Sequence, residues 1–183
     1  MDVSGGGSSG QGRRLRLMEV FNHRIYKIFD AAEEIENIND QYWTIRAEEL
    51  APEELSAGPD DNLIHVRHFY RDTRMNMTHN FGDPFLLLIT PDETLGSVRA
   101  RIQAKLRLTP EEMASWKVAV VSFGRVEQLE SDDEVVRPHF RKHESYATNW
   151  DDYLGLEHQM VPGSGRKKNL SRSAYDRPVK IHG

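Results

Sequence analysis

Any chemistry in this chain must come from histidines, carboxylates and hydroxyls, because its 183 residues include no cysteine. That removes disulfides, thiolate metal ligands and a thiol nucleophile together. His139 and His143 have the i, i+4 spacing that puts two imidazoles on one helical face, as a zinc pair needs. Pro138 before them suits a helix start. No acidic partner or third ligand is obvious in the sequence, so the pair reads as solvated. His65 and His68 lie three apart in a β-rich run, where such residues face opposite sides and do not share a metal. Nothing has the context of a nucleophile elbow, a phosphate loop or a dinucleotide fingerprint. The expectation is a chain with no catalytic, cofactor-binding or metal-ligating residue of its own.

Charge points to a different kind of work. The formal net charge is −5, yet residues 163–183 carry Arg166, Lys167, Lys168, Arg172, Arg177 and Lys180 against Asp176 alone. A tail of +5 on a body of −10 suits contact with another surface. Lys/Arg clusters can neutralise phosphates. This one is small and its body acidic, so an anion-binding tail is the weakest reading and nucleic acid is not an expected partner. Glu33, Glu34, Glu36 and the glutamates of residues 48–54 read as solvated surface. The final YDRPVKIHG is more apolar than the stretch before it. Pro178 fixes an extended backbone ahead of Val179. Val179 and Ile181 then point to one side and Lys180 to the other, as groove or strand-addition binding uses.

Behind these residues stand the elements that must hold them. Residues 84–129 are the centre of the chain. Phe85 to Ile89 is an apolar run between Pro84 and Pro91, which predicts a buried strand. Thr94 caps a helix whose Leu95, Val98, Ile102 and Leu106 recur at helical spacing. Thr109, Pro110 and Glu112 form a capping box for a second, short helix. Residues 116–123 form another strand, Gly124 turns it, and Val126 and Leu129 belong to the next. A sheet wrapping one amphipathic helix in this order resembles the ubiquitin-like β-grasp fold.

The flanks complete the organisation. Residues 1–12 are a Gly/Ser segment that cannot bury enough apolar area to order itself. Leu15, Leu17 and Phe21 alternate on one side of a strand, and Ile25 and Phe29 follow a tight turn at Asn22-His23. Residues 42–50 read as a third strand. Three strands without a helix make a poor independent core, so residues 13–51 are expected to be a partial ubiquitin-like domain, with residues 13–50 less ordered than residues 63–140. Residues 52–61 read as a linker, and residues 63–70 open a complete domain over 62–158. Val135, Val136 and Phe140 are its expected closing strand. A short helix is expected from Asn149 to near Gly155, with Leu154 and Leu156 in the core. Residues 159–174 form a basic flexible linker ahead of 175–183. Hydrophobic residues are only 38% and mean hydropathy is −0.66, which fits polar tails. No run nears the roughly 20 apolar residues of a membrane span, and no secretory signal is evident.

Three pieces in order, LRLMEVFNHRIYKIF, WDDYLGLEH at 150–158 and AYDRPVKIHG at the end, resemble the herpesvirus-associated ubiquitin-specific protease family, most closely its plant-type members. The likeness covers residues 15–183. It implies an α+β chain: the later part of one ubiquitin-like domain, all of the next, and an activating tail. It also implies a regulatory and partner-binding role in protein deubiquitination, with the family's cysteine-protease catalytic domain as partner, in cis or in trans. Other proteins are candidate partners on the ubiquitin-like sheet. Matched by position, Tyr175, Val179, Lys180 and Ile181 are the aromatic, aliphatic, basic and isoleucine positions of the peptide that docks on that domain. Gly183 stands where members usually have asparagine. No cofactor is implied, and the compartments are nucleus and cytosol. The alternative is a stand-alone ubiquitin-like adaptor with no protease partner.

Overall fold

The computed structural model describes residues 14–34, 36, 38, 44–75, 77–140 and 152–159. They form two sheets. β1 (Leu15–Phe21), β2 (Arg24–Ile28) and β3 (Thr44–Glu49) pair in the order β2-β1-β3. β4 (Asn62–Asp72), β5 (Met77–Ile89), β6 (Lys117–Ser122), β7 (Arg125–Leu129) and β8 (Tyr153–Glu157) pair in the order β5-β4-β8-β6-β7. The helices are α1 (Pro52–Leu55), α2 (Leu95–Leu106) and α3 (Pro110–Ser115).

The five-stranded order is that of a β-grasp. An opening hairpin is followed by the helix that crosses the sheet, then a second hairpin. The last strand enters between the two hairpins, parallel to β4 and antiparallel to β6. The smaller sheet repeats the relation of the last three strands, with β3 beside β1 where β8 lies beside β6. The fold is α+β and ubiquitin-like, as its sequence pattern implies.

The continuous apolar run of β5 is explained by two covered faces. Phe85, Leu87 and Ile89 join Leu95, Val98 and Ile102 of α2 in the main core, with Val118, Val120, Leu154 and Leu156. Leu86 points the other way and packs with Met18 and Ile25 of the smaller sheet. The three-stranded sheet therefore does not stand alone; it rests on the face of the large sheet away from α2. The inward set of β1 is the reverse of the expected one. Met18 is buried, while Leu15 and Phe21 are exposed. A strand shows opposite faces at alternate residues, so apolar groups on both sides leave the inward face undecided until a partner is known.

Residues 52–61 are not a plain linker, since they begin with α1. Glu54 pairs with Arg16 of β1, and Glu53 Oε1 accepts from Arg101 Nη2 of α2 at 3.0 Å. Arg101 also donates to both oxygens of buried Glu93, at 2.8 and 2.9 Å, and to the Leu88 carbonyl at 2.7 Å. Lys105 Nζ sits 2.7 Å from Glu48 Oε1 of β3. Three charged pairs, Arg16–Glu54, Glu53–Arg101 and Glu48–Lys105, thus tie the small sheet and α1 to each other and to α2.

The expected closing strand at Val135 to Phe140 is absent. A 3-10 turn, Arg137–His139, stands there. The backbone just ahead of that stretch finishes the start of α2: Leu95 N–H donates to the Glu134 carbonyl at 2.8 Å and Gly96 N–H to the Asp132 carbonyl at 2.9 Å. Val136 and Phe140 are still buried in the core. The closing strand is β8, and it occupies the described part of the stretch expected to be helical.

Candidate functional site

The expected docking residues Tyr175, Val179, Lys180 and Ile181, with His143, lie outside the described residues. What the structure does define is the last described point ahead of residues 160–183 in the chain. That point is the end of β8, and it is held from several sides.

Alternation along Tyr-Leu-Gly-Leu-Glu builds the anchor. Leu154 and Leu156 are fully buried toward α2. Gly155 faces the other way, under the ring of Phe69. A Cβ there would lie 2.5 Å from Phe69 Cε1, so only glycine fits. Tyr153 donates its hydroxyl to Asn80 Oδ1 at 3.1 Å, and the Arg67 guanidinium lies 4.3 Å from its ring centroid. Glu157 accepts a two-pronged bond from Arg71, 2.7 Å on each arm, and one from Gln128 at 3.0 Å. Those donors hold its carboxyl below the usual range, the Arg71 bond first.

His158 closes the anchor. Its N–H donates to the Phe69 carbonyl at 3.1 Å. The imidazole stacks on Trp116, the residue that ends α3, at 3.7 Å with planes 2° apart. Phe81 meets it edge-on at 4.8 Å, and its Nε2 lies 2.9 Å from Nδ1 of His68. One proton serves that bond, so the two rings are not both cationic. Burial, then the neighbouring His158, pushes the His68 pKa down to about 4, with Asp83 opposing. Burial lowers His158 also.

The two strand histidines part as expected. His65 faces away from α2; burial, then Arg67 and Arg24, pushes its pKa down to about 3. His68 faces Trp116, Phe81 and Phe85 on the α2 side. His139 Nε2 lies 3.0 Å from Glu134 Oε1. Among the described residues no three His, Asp or Glu side chains are grouped to hold a metal. The face of the large sheet away from α2 is closed as well: Phe69, Ala119, Val121 and Tyr153 form their own buried cluster. No described helix is long and apolar enough to cross a membrane.

Sequence reasoning missed the His68–His158–Trp116 clamp because its members are far apart in the chain and share no local pattern. The closing strand did carry a signal, the two-residue alternation of Leu154 and Leu156.

Fold and anchor together define a β-grasp unit of the ubiquitin-like class, with its final strand pinned just ahead of a long terminal segment. Comparison with known proteins gives the particular family. The ubiquitin-specific protease C-terminal family model matches residues 4–160, and this chain belongs to that family. It is 49% identical over 176 residues to ubiquitin C-terminal hydrolase 13 of Arabidopsis thaliana, covering 95% of this chain and 16% of that protein. It is 26% identical over 180 residues to ubiquitin carboxyl-terminal hydrolase 7 of Drosophila melanogaster, covering 93% and 15%. The chain thus spans about one sixth of the length of the curated relatives it matches. Among solved structures, an archaeal Caldiarchaeum subterraneum ubiquitin aligns at TM-score 0.28 and 20% identity, over 56% of this chain and all of that one. The C-terminal ubiquitin-like domain of mouse tubulin-specific chaperone e aligns at TM-score 0.35 and 15% identity, over 60% of this chain and 99% of that one.

Proposed function

We propose that this chain is a non-catalytic regulatory and partner-binding module of a ubiquitin-specific cysteine protease. Residues 13–51 form a partial ubiquitin-like domain and residues 62–158 a complete one. Residues 159–174 are a tether, and residues 175–183 are a peptide that docks on the catalytic domain and raises its activity, in cis or in trans. Tyr175, Val179, Lys180 and Ile181 make the contact. The partner is the protease catalytic domain, and the compartments are nucleus and cytosol.

The observation that carries this reading is the pinning of His158 immediately ahead of the terminal segment. A tether converts a weak peptide into an effective one only if its root is fixed, because effective concentration follows from the span it must cover. The sixteen residues 159–174 reach at most about 55 Å fully extended. As a Gly/Ser-rich coil they span about 22 Å on average.

The test mixes the full chain with the cognate catalytic domain and follows cleavage of a ubiquitin substrate. Stimulation that is lost in Ile181→Asp supports the reading. Partner binding without any effect on cleavage supports a stand-alone adaptor instead.

A further inference from the structure

We propose that the outer edge of β7 pairs with the same edge of a second copy of this chain, antiparallel and centred on Val126. β7 is the last strand of its sheet. It joins β6 through the two-residue turn Phe123-Gly124, both at positive φ, 47° and 81°. Such a turn makes the closing pair Ser122 and Arg125 a hydrogen-bonded one, and pairs then alternate. The N–H and C=O groups of Arg125, Glu127 and Leu129 therefore turn to β6, while those of Val126 and Gln128 turn outward. Among the described residues those outward groups have no backbone partner. At the far edge of the same sheet, the carbonyls of Gly82 and Pro84 in β5 are already bonded to His23 and Arg46.

Charge selects the register. Arg125 and Glu127 flank Val126, are both exposed, and enter no ion pair among the described residues. Leu129 is buried under α2, so these two side chains share the α2 side of the sheet. Centring the pair on Val126 lets the two valines exchange both backbone bonds. It also sets Arg125 opposite Glu127 of the second copy, twice by symmetry. Centring on Glu127 opposes like charges and presents backbone groups already bonded to β6. Centring on Gln128 leaves both charges unpartnered. The chosen register sets Gln128 against Gly124 of the second copy, where a Cβ would meet nothing within 4 Å. It also brings Phe123, 75% exposed, toward the Leu129 end of the second copy's strand. The contact is short, so association is weak and concentration-dependent.

Sedimentation velocity on the full chain from about 10 µM to about 1 mM tests this. The wild type is expected to gain mass with concentration. Arg125→Glu and Glu127→Arg alone are each expected to weaken association about tenfold or more, and the double variant R125E/E127R to restore it. Val126→Pro removes an outward N–H, so it is expected to abolish association with the fold intact. Should that variant misfold, the charge-swap trio still decides. A wild type that stays monomeric throughout, or a double variant as weak as the singles, overturns the proposal. An edge that takes only a foreign extended peptide would give the first of these results.

Discussion

Trp116 and His158 lie face to face, ring centroids 3.7 Å apart and planes 2° from parallel. One ends the short helix α3 and the other ends the strand that precedes the terminal segment. Stacked rings of this kind contribute beyond their buried area. Trp116→Ala is expected to cost about 2–3 kcal/mol in urea unfolding, below the range for a fully buried tryptophan because Trp116 is half-buried. It should also free His158, whose imidazole resonances would then titrate closer to the ordinary histidine range by NMR. A neutral effect on both would mean the stack holds nothing in place.

Two buried histidines, His68 in this cluster and His65 on the opposite face of the sheet, make stability fall in acid. His68 and His65 are held neutral in the fold, at about 4 and about 3, while the unfolded chain protonates them near 6.5. Well above pH 6.5 neither state binds the proton and there is no effect. As pH drops from 6.5 the unfolded state gains protons first, so stability declines until the folded pKa values are passed. The slope approaches about 1.4 kcal/mol per pH unit for each histidine. His68→Gln should flatten the curve between pH 6.5 and 4, measured as unfolding free energy against pH. An unchanged slope would contradict the buried neutral pair.

Gly155 is a packing prediction. A methyl group at its Cα would collide with the Phe69 ring at 2.5 Å and press on Val121 at 3.0 Å. Gly155→Ala should therefore destabilise by about 1–3 kcal/mol. The double variant Gly155→Ala with Phe69→Leu should lose less than the sum of the single changes, because the smaller side chain makes room. Strict additivity in a thermal-unfolding cycle would mean the contact is not the cause.

Arg101 separates a partly buried bond from an exposed one. Arg101→Met leaves the carboxylate of Glu93 buried with only Ser97 and the Thr90 N–H for partners. A cost of about 2–3 kcal/mol is expected. Glu53→Gln removes only the outer arm, which is half exposed, and should cost under about 1 kcal/mol. Equal costs would place the strength of the clasp on the wrong pair.

Much of the β-grasp was legible in the sequence because its signals are local. Thr94 and the Thr109 capping box mark both helix starts, and both side chains accept the expected bonds, from Ser97 and Glu112. The Asn22-His23 turn was legible too, with both residues at positive φ. What stayed hidden depended on partners distant in the chain. The inward face of β1 is chosen by Leu86 of β5. Val136 and Phe140 were expected in a closing strand; they are buried in the core, but the nearby backbone serves the first turn of α2 rather than a strand. β8 alternates in sequence, yet its place between β4 and β6 is a property of the whole sheet. The clamp at His158 assembles from four separate elements, so no window of sequence contains it.

The most direct measurement compares the full chain with one ending at Ala174, each added in excess to the cognate catalytic domain under initial-rate conditions. Loss of the stimulation on removing residues 175–183, with an unaltered fold by amide NMR, is the predicted result. Equal stimulation by both chains, or isopeptide cleavage by this cysteine-free chain on its own, would contradict the account.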